Sequence, residues 1–324
     1  MTSIKDIAKR AGVSISTVSY ALNGSDKVTK ETAAKILGIA EELNYVPHAA
    51  ARLLKTKKSN MIGIFLTDFS GSFYGDLLQG VKDYLSPKGY DLIVCSGQQS
   101  RRLIAERMID GAIILDDTFT TEQLLQFAGQ GHKAVVLDRE LSHPHINQVL
   151  LDNKAGATLA VEYLVEQGHT KIYAVTGPES SYDASQRSRA VHQAIERVPD
   201  IQFKEIRGNF SKGAGEDAAR YIAGEYDRPC AVFCLNDEMA LGAYRYFSSQ
   251  TELIVGEHIH LIGFDNIEIS QFIQPRLATI DYSMQKWGAL ASEQLLKMLA
   301  GQPVESERIY VTLIKGKSVN RLPQ

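Results

Sequence analysis

Apolar residues at the start of the chain recur at three- and four-residue spacing. Ile4, Ile7, Ala8 and Ala11 form one helical stripe, which Gly12 breaks. Ser14 stands where a cap opens a second helix near Ile15, and Val18, Ala21 and Leu22 give that helix its apolar face. Thr29 caps a third helix, with Ala33, Ile36, Ile39, Ala40 and Leu43 turned inward, before Asn44-Tyr45 ends it. Three short helices with a glycine turn between the first two predict a helix-turn-helix, whose second helix stands proud enough to enter a major groove. Ser16, Thr17 and Tyr20 remain on its outer face with Ser19 at the edge, short polar groups and a phenol able to bond base edges or touch a thymine methyl. The next stretch, YVPHAAARLLKTKKS, reads as a proline at a first helical position, an alanine-rich turn and a half, and a basic linker. It is too short for a stable helix in water and should order only against a symmetry mate and a DNA groove.

From Asn60 the pattern changes to alternating strands and helices: MIGIFL, a helix over 74–85, YDLIVCS, a helix across Leu103 to Met108, GAIIL, a helix near 122–128, and KAVVLD. A second such series runs from Asn153 to Asp265: a helix over 155–167, KIYAVTG, a helix over 185–197, FKEIRG, a helix near 215–223, CAVFCLND, a helix near 240–247, and HLIGFDN. Near-continuous apolar strands of this kind belong in parallel sheets covered on both faces. The fold class is therefore α/β: a helical head followed by two doubly wound halves. Twin halves with facing strand ends make a cleft for a small ligand. Asp68, Phe73 and Tyr74 follow the first strand, Asp138 and Arg139 the fourth, and Arg187 opens a helix of the second half. Phe210, Asn236, Asp237 and Asp265 follow later strands. Ring faces for C–H surfaces, with carboxylates, an amide and a guanidinium for adjacent hydroxyls, are the chemistry of polyol recognition.

Charge sharpens this division. Residues 1–58 hold ten Lys or Arg against five Asp or Glu, a net +5, so the formal charge of -3 for the whole leaves -8 on the remainder. A basic head on an acidic body directs a polyanion partner to the head alone. The start of the chain lacks a continuous apolar region, and no membrane span is evident, so the expected location is the cytoplasm. Cys95, Cys230 and Cys234 lie in apolar strand-like surroundings without histidine neighbours, which predicts buried thiols rather than disulfides or zinc ligands.

Enzyme motifs fail on inspection. Gly213-Ala-Gly215-Glu-Asp-Ala218 fits a loose G-x-G-x-x-A but lies beyond its strand and carries acids that a pyrophosphate would not favour. Gly316-Lys317-Ser318 has Val311 where a P-loop needs its first glycine. Neither a nucleophile elbow nor a zinc-protease motif occurs, and the eight histidines lack metal-ligand spacing.

The run IKDIAKRAGVSISTVSYALN, the YVPHAAARLLK segment and the strings GFDN and NDEMALGA resemble the lactose-repressor/galactose-repressor family of bacterial transcription regulators over nearly the whole chain. The head matches the purine-repressor branch without a gap. The resemblance implies a helix-turn-helix domain over 1–46, a hinge helix and linker over 47–59, and a periplasmic-binding-protein-like effector-binding and dimerisation core over 60–324. Within that core the expected subdomains are 60–151 with 283–308, and 152–281 with 309–324, so that the chain crosses near Leu151, Asp281-Tyr282 and Ile309. It implies DNA contacts from Thr2, Ser16, Thr17, Ser19, Tyr20, Asn23, Leu54 and Lys55, with Leu54 wedged into a minor-groove base step. Tyr20 departs from the Arg or His that many relatives carry. Asp138, Arg187, Phe210, Asn236 and Asp265 fall where members hold the effector, with Asp68, Phe73, Tyr74 and Tyr282 lining the same space. The segment from Ser96 to Met108 is shorter than the family pattern, so one helix is expected to be trimmed. The implied function is repression of a carbohydrate-utilisation operon by a homodimer on a pseudo-palindromic double-stranded operator, not enzymatic and with no cofactor. A small sugar or sugar phosphate would control it, and a protein co-regulator, as well as inducer against co-repressor action, stays open. Absence of a terminal heptad helix argues against a four-chain assembly. A sugar-binding receptor without DNA function shares the body but has no use for the head.

Overall fold

The computed structural model describes residues 3–45, 58–71 and 73–323 and divides the chain into two units, Met1–Ser59 and Asn60–Gln324. The first unit holds α1 (Ile4–Ala11), α2 (Ile15–Leu22) and α3 (Lys30–Glu42). Local signals set each end. The Ser3 backbone N–H and hydroxyl both donate to Asp6 at 2.8 Å, which holds the Asp6 carboxyl below the usual range. Gly12 closes α1 in the left-handed conformation, φ 72°, as only a residue without a side chain does freely. Ser14 and Thr29 accept from the N–H of Thr17 and Thr32, capping α2 and α3. Ile7, Ala8, Ala11, Val18, Ala21, Ile36 and Ala40 form the buried core, in which four alanines let short helices approach closely. Arg10 pairs with Glu42 at 2.6 Å, and Lys35 donates to the Ala11 carbonyl, tying α1 to α3.

The second unit carries two six-stranded sheets. One contains β1 (Met61–Leu66), β2 (Asp91–Ser96), β3 (Gly111–Leu115), β4 (Ala134–Val136), β5 (Ile146–Leu151) and β11 (Glu307–Ile309). The other contains β6 (Lys171–Val175), β7 (Gln202–Ile206), β8 (Cys230–Cys234), β9 (Ile259–Phe264), β10 (Ala278–Asp281) and β12 (Thr312–Ile314). Their orders, β11-β5-β4-β3-β1-β2 and β12-β10-β9-β8-β6-β7, are equivalent, and every pairing is parallel except β10 with β12. Strands β3, β8 and β9 are buried throughout, as parallel strands under two helical layers must be. The first sheet is served by α4 (Tyr74–Leu85), the one-turn α5 (Arg102–Ala105), α6 (Thr121–Gly129) and α11 (Met284–Leu299); the second by α7 (Asn153–Glu166), α8 (Tyr182–Ile195), α9 (Lys212–Gly224) and α10 (Asp237–Gln250).

Three times the chain passes between sheets: after Leu151, after Asp281 and after Ile309. Trp287 of α11 is fully buried and its indole N–H donates to the Val149 carbonyl at 2.8 Å, so the returning helix is anchored in the first half.

One expectation is corrected, and others gain a physical reason. The helix expected across Leu103 to Met108 ends at Ala105, and a 3₁₀ turn over Gln98–Arg101 precedes it. Strand β5 breaks the apolar pattern because Asn147 is buried in it; the Asn147 amide donates to the Glu305 carbonyl and to Gln294, so the polar residue is satisfied inside. Gly215 of the false dinucleotide motif has a packing reason, shared with Gly242 of α10. A Cβ on Gly215 would lie 1.9 Å from the Met239 carbonyl oxygen, and one on Gly242 1.9 Å from that of Lys212, so both are needed for α9 and α10 to touch. All three cysteines are buried free thiols.

Candidate functional site

On α2 the groups left outside are the polar ones together with Ile15 of the first turn. Ser16 is exposed, while Thr17, Ser19 and Tyr20 are half-buried. Thr17 shares a 2.8 Å hydroxyl bond with Ser14, and the Lys27 ammonium sits 5.2 Å from the Tyr20 ring centroid. The exposed Asn23 donates from its amide to the Ser19 carbonyl at 2.5 Å, closing the C-terminal turn. Thr2, Leu54 and Lys55 lie outside the described residues.

In the second unit, the carboxyl ends of the two sheets face a cleft of about 870 Å³. Asp68, Phe73, Tyr74, Asp138, Arg187, Phe210, Asn236 and Asp265 all line it. Tyr282 does not. It lies buried behind the wall, and its hydroxyl donates to Asp265 Oδ1 at 2.8 Å, because the turn after β10 directs the ring inward onto Trp287. It positions a lining group instead of forming one.

The second-half wall is built on buried charge. Arg187, 3% exposed, projects from the second turn of α8, which starts at Tyr182 behind a Ser181 cap rather than near Ser185. Its guanidinium lies 3.6 Å from the Phe264 ring centroid. The Nε donates to Asn153 at 2.8 Å, Nη1 donates to the Leu235 carbonyl at 2.6 Å, and Nη2 lies 3.6 Å from Asp265 Oδ1. Burial pushes the Asp265 carboxyl up to about 7, although Arg187 and the Tyr282 hydroxyl pull the other way. Burial also raises Asp183, whose carboxylate accepts from Asn153 at 2.6 Å. Beneath them Asp237 is raised to about 8 by burial and then by Asp265, against the bonds it accepts from Thr279, Ser270 and the Ile267 N–H. Asp265 and Phe210 have φ of 109° and 68°, a region that side-chain-bearing residues rarely occupy; such strain concentrates where a side chain must be aimed. Asn236 caps α10 by accepting from the Met239 N–H and donates to the Phe210 carbonyl, fixing two lining residues together.

The first-half wall is more open. Asp138 receives both prongs of the Arg139 guanidinium at 2.8 Å and the Asp116 N–H at 3.0 Å. Asp68 is exposed and accepts from the Ser70 N–H and hydroxyl at 2.7 Å. Phe73 and Tyr74 meet edge to face at 5.1 Å, and burial holds the Tyr74 phenol far above its usual range, a neutral donor. Bonds cross the cleft from Ser180 to Asp117 at 3.3 Å and from Tyr182 to Glu140 at 3.1 Å.

Sequence reasoning missed Asp117, Asp183, Lys212 and Glu238, all of which line the cleft. Asp117 follows GAIIL as Asp68 follows MIGIFL, a signal that was available. Asp183 precedes the helix expected from Ser185, and Glu238 directly follows the Asn236-Asp237 strand end.

Residues 3–48 match the family model for bacterial regulatory proteins of the lacI family, and residues 161–319 match that for a periplasmic binding protein-like domain. The HTH-type transcriptional repressor PurR of Aliivibrio salmonicida (strain LFI1238) is 32% identical over 99% of this chain and 100% of its own. A sugar-binding transcriptional regulator (LacI family) from Enterococcus faecalis, known as a crystal structure, is 45% identical over 80% of this chain and 97% of its own, with a TM-score of 0.76. A crystal structure of the lac repressor dimer bound to operator and the anti-inducer ONPF is 28% identical over 98% and 99%, with a TM-score of 0.84.

Proposed function

Because the chain belongs to the lacI family of bacterial regulatory proteins, we infer that it is a DNA-binding transcriptional repressor, not an enzyme, that answers to a small-molecule effector. It binds operator DNA as a dimer, with the two heads on the half-sites of a pseudo-palindrome. In this reading Ser16, Thr17, Ser19, Tyr20 and Asn23 face the duplex. Lys and Arg of the basic head meet phosphates and set register, and Leu54 with Lys55 serves the central minor groove.

The effector is a sugar held in the cleft. The observation that carries this is the joint presence of Phe73 and Phe210 rings with Asp138, Arg187, Asn236 and Asp265 around one space, since stacked C–H faces and paired hydroxyls need both. Occupancy changes how the two halves are disposed and so biases the grip of the paired heads. Such coupling typically amounts to about 1–3 kcal/mol.

Selection of duplexes from a random pool by the full-length protein tests the DNA side; inverted repeats should be enriched, and no enrichment would refute it. A thermal-shift screen of sugars tests the cleft, where Asp265→Ala should erase whatever shift the wild type shows. A shift that survives in that variant places the ligand elsewhere. Among the described residues no helix is long and apolar enough to cross a membrane.

A further inference from the structure

The cleft's own charges bear on which electrical class of sugar it takes. Four cations line it, Arg139, Arg187, Arg189 and Lys212, against seven carboxylates, a formal balance of 4 - 7 = -3 among the described residues. An anionic ligand therefore enters against the field unless a cation is held ready for it.

Three of the four cations are engaged. Arg139 gives its fork to Asp138 and a further bond to the Asp116 carbonyl at 2.8 Å. Arg187 is spread over Asn153, the Leu235 carbonyl, Asp265 and the Phe264 face. Lys212 pairs with Glu238 at 3.0 Å. Arg189 is exposed, where a charge contributes little to discrimination.

Helix N-termini are the other natural seats for phosphate, and residues at the starts of α4, α6, α8, α9 and α10 line this space. Four of them are occupied by their own caps: Thr120, Ser181, Ser211 and Asn236 accept from the N–H groups of Gln123, Ala184, Ala214 and Met239. The start of α4 has no side-chain cap but carries Asp76 in its first turn; Glu122 sits in that of α6, Asp183 in that of α8, and Asp237 with Glu238 in that of α10, so four of these ends are already answered by carboxyls of the same chain.

The acids are equally committed, which argues against a cationic ligand. Asp68 is bonded to Ser70, Asp117 to Thr67 and Ser180, and Glu179 to Arg207 at 2.9 Å. Asp183 is bonded to Asn153 and Asp265 to Tyr282. A site whose charges are internally paired still offers spare lone pairs and N–H groups to hydroxyls, and a neutral guest leaves no buried charge uncompensated.

Resting on the sugar reading of the cleft, we propose that the effector is an uncharged polyol, an unmodified aldose, ketose or alditol. Its phosphorylated, carboxylated and amino counterparts are rejected.

The test is calorimetric titration of the full-length protein with matched families: D-ribose and ribose 5-phosphate; D-glucose, glucose 6-phosphate, glucuronate and glucosamine; D-galactose and galacturonate. A neutral member should bind at least about tenfold more tightly than each of its charged derivatives, the factor that 1.4 kcal/mol represents. Its affinity should change less than about twofold between 0.05 and 0.5 M NaCl, because screening acts on charges. A charged derivative that binds as tightly as its neutral parent overturns the assignment while leaving the sugar reading intact. Failure of every member of all three families overturns the sugar reading itself.

Discussion

The head and the body place their proposed binding groups differently with respect to their cores. In the head, seven buried residues support an outer face on α2 that carries the groups proposed to meet DNA. In the body the groups proposed to hold sugar are themselves buried: Asp138, Arg187, Asn236 and Asp265 are each less than a tenth exposed. The difference teaches that substitutions on the head's face should alter binding without altering folding. In the cleft, recognition and stability are written on the same residues.

Arg187→Ala should break that rule most visibly if it is wrong. Removing one partner of a buried charge pair typically costs about 3–5 kcal/mol. Asp265, already raised to about 7, and Asp183 then lose their cation, so the loss should grow as pH rises and these carboxyls are forced to ionise. Melting curves across pH together with sugar titrations check this; a variant that neither melts earlier nor loses sugar binding would separate function from stability here.

Ile36→Ala tests the other side. A buried isoleucine cut to alanine costs about 2–5 kcal/mol, and a head of this size has little stability to lose. Operator binding should vanish at 25 °C while sugar affinity stays within twofold, which would mark the head as an independent unit.

Tyr20→Ala should act on recognition alone. Loss of a base contact costs about 1–3 kcal/mol of operator affinity, with the melting temperature and the salt dependence of binding unchanged. A flattened salt dependence would move Tyr20 from base reading to phosphate contact.

The smallest effect concerns His169 and His260, buried with ring centroids 4.2 Å apart and packed beside the Asn320 backbone. Burial holds His169 down to about 4 and lowers His260 as well. Between pH 6.5 and 4 the unfolded chain binds protons that folded His169 refuses, so stability falls with acid over that window. His169→Gln should flatten this slope; an unchanged slope would assign the acid sensitivity elsewhere.

The sequence was legible wherever one physical signal dominated. Helices α1 to α3 announced themselves by 3.6-residue spacing with Ser14, Gly12 and Thr29 at their ends, and the strand ends by apolar runs stopping at Asp68, Asn236 or Asp265. It misled where two signals competed. Ser181 and Ser185 both suit a cap, and choosing the later one hid Asp183 and put Arg187 at a helix start. Tyr282 follows a strand end like a lining residue, yet the direction of a side chain after a turn is set by packing, here against Trp287. Pairing across the cleft, such as Ser180 with Asp117, joins residues 63 apart and has no local signature.

The central claim is that closure on a metabolite decides whether the heads hold DNA. Fluorescence anisotropy of the full-length protein on an operator recovered by selection, titrated with and without the sugar that binds, tests it most directly. The account predicts that sugar changes operator affinity by about 5- to 150-fold, and that saturating operator changes sugar affinity by the same factor. Operator and sugar affinities that are each unmoved by the other would contradict it.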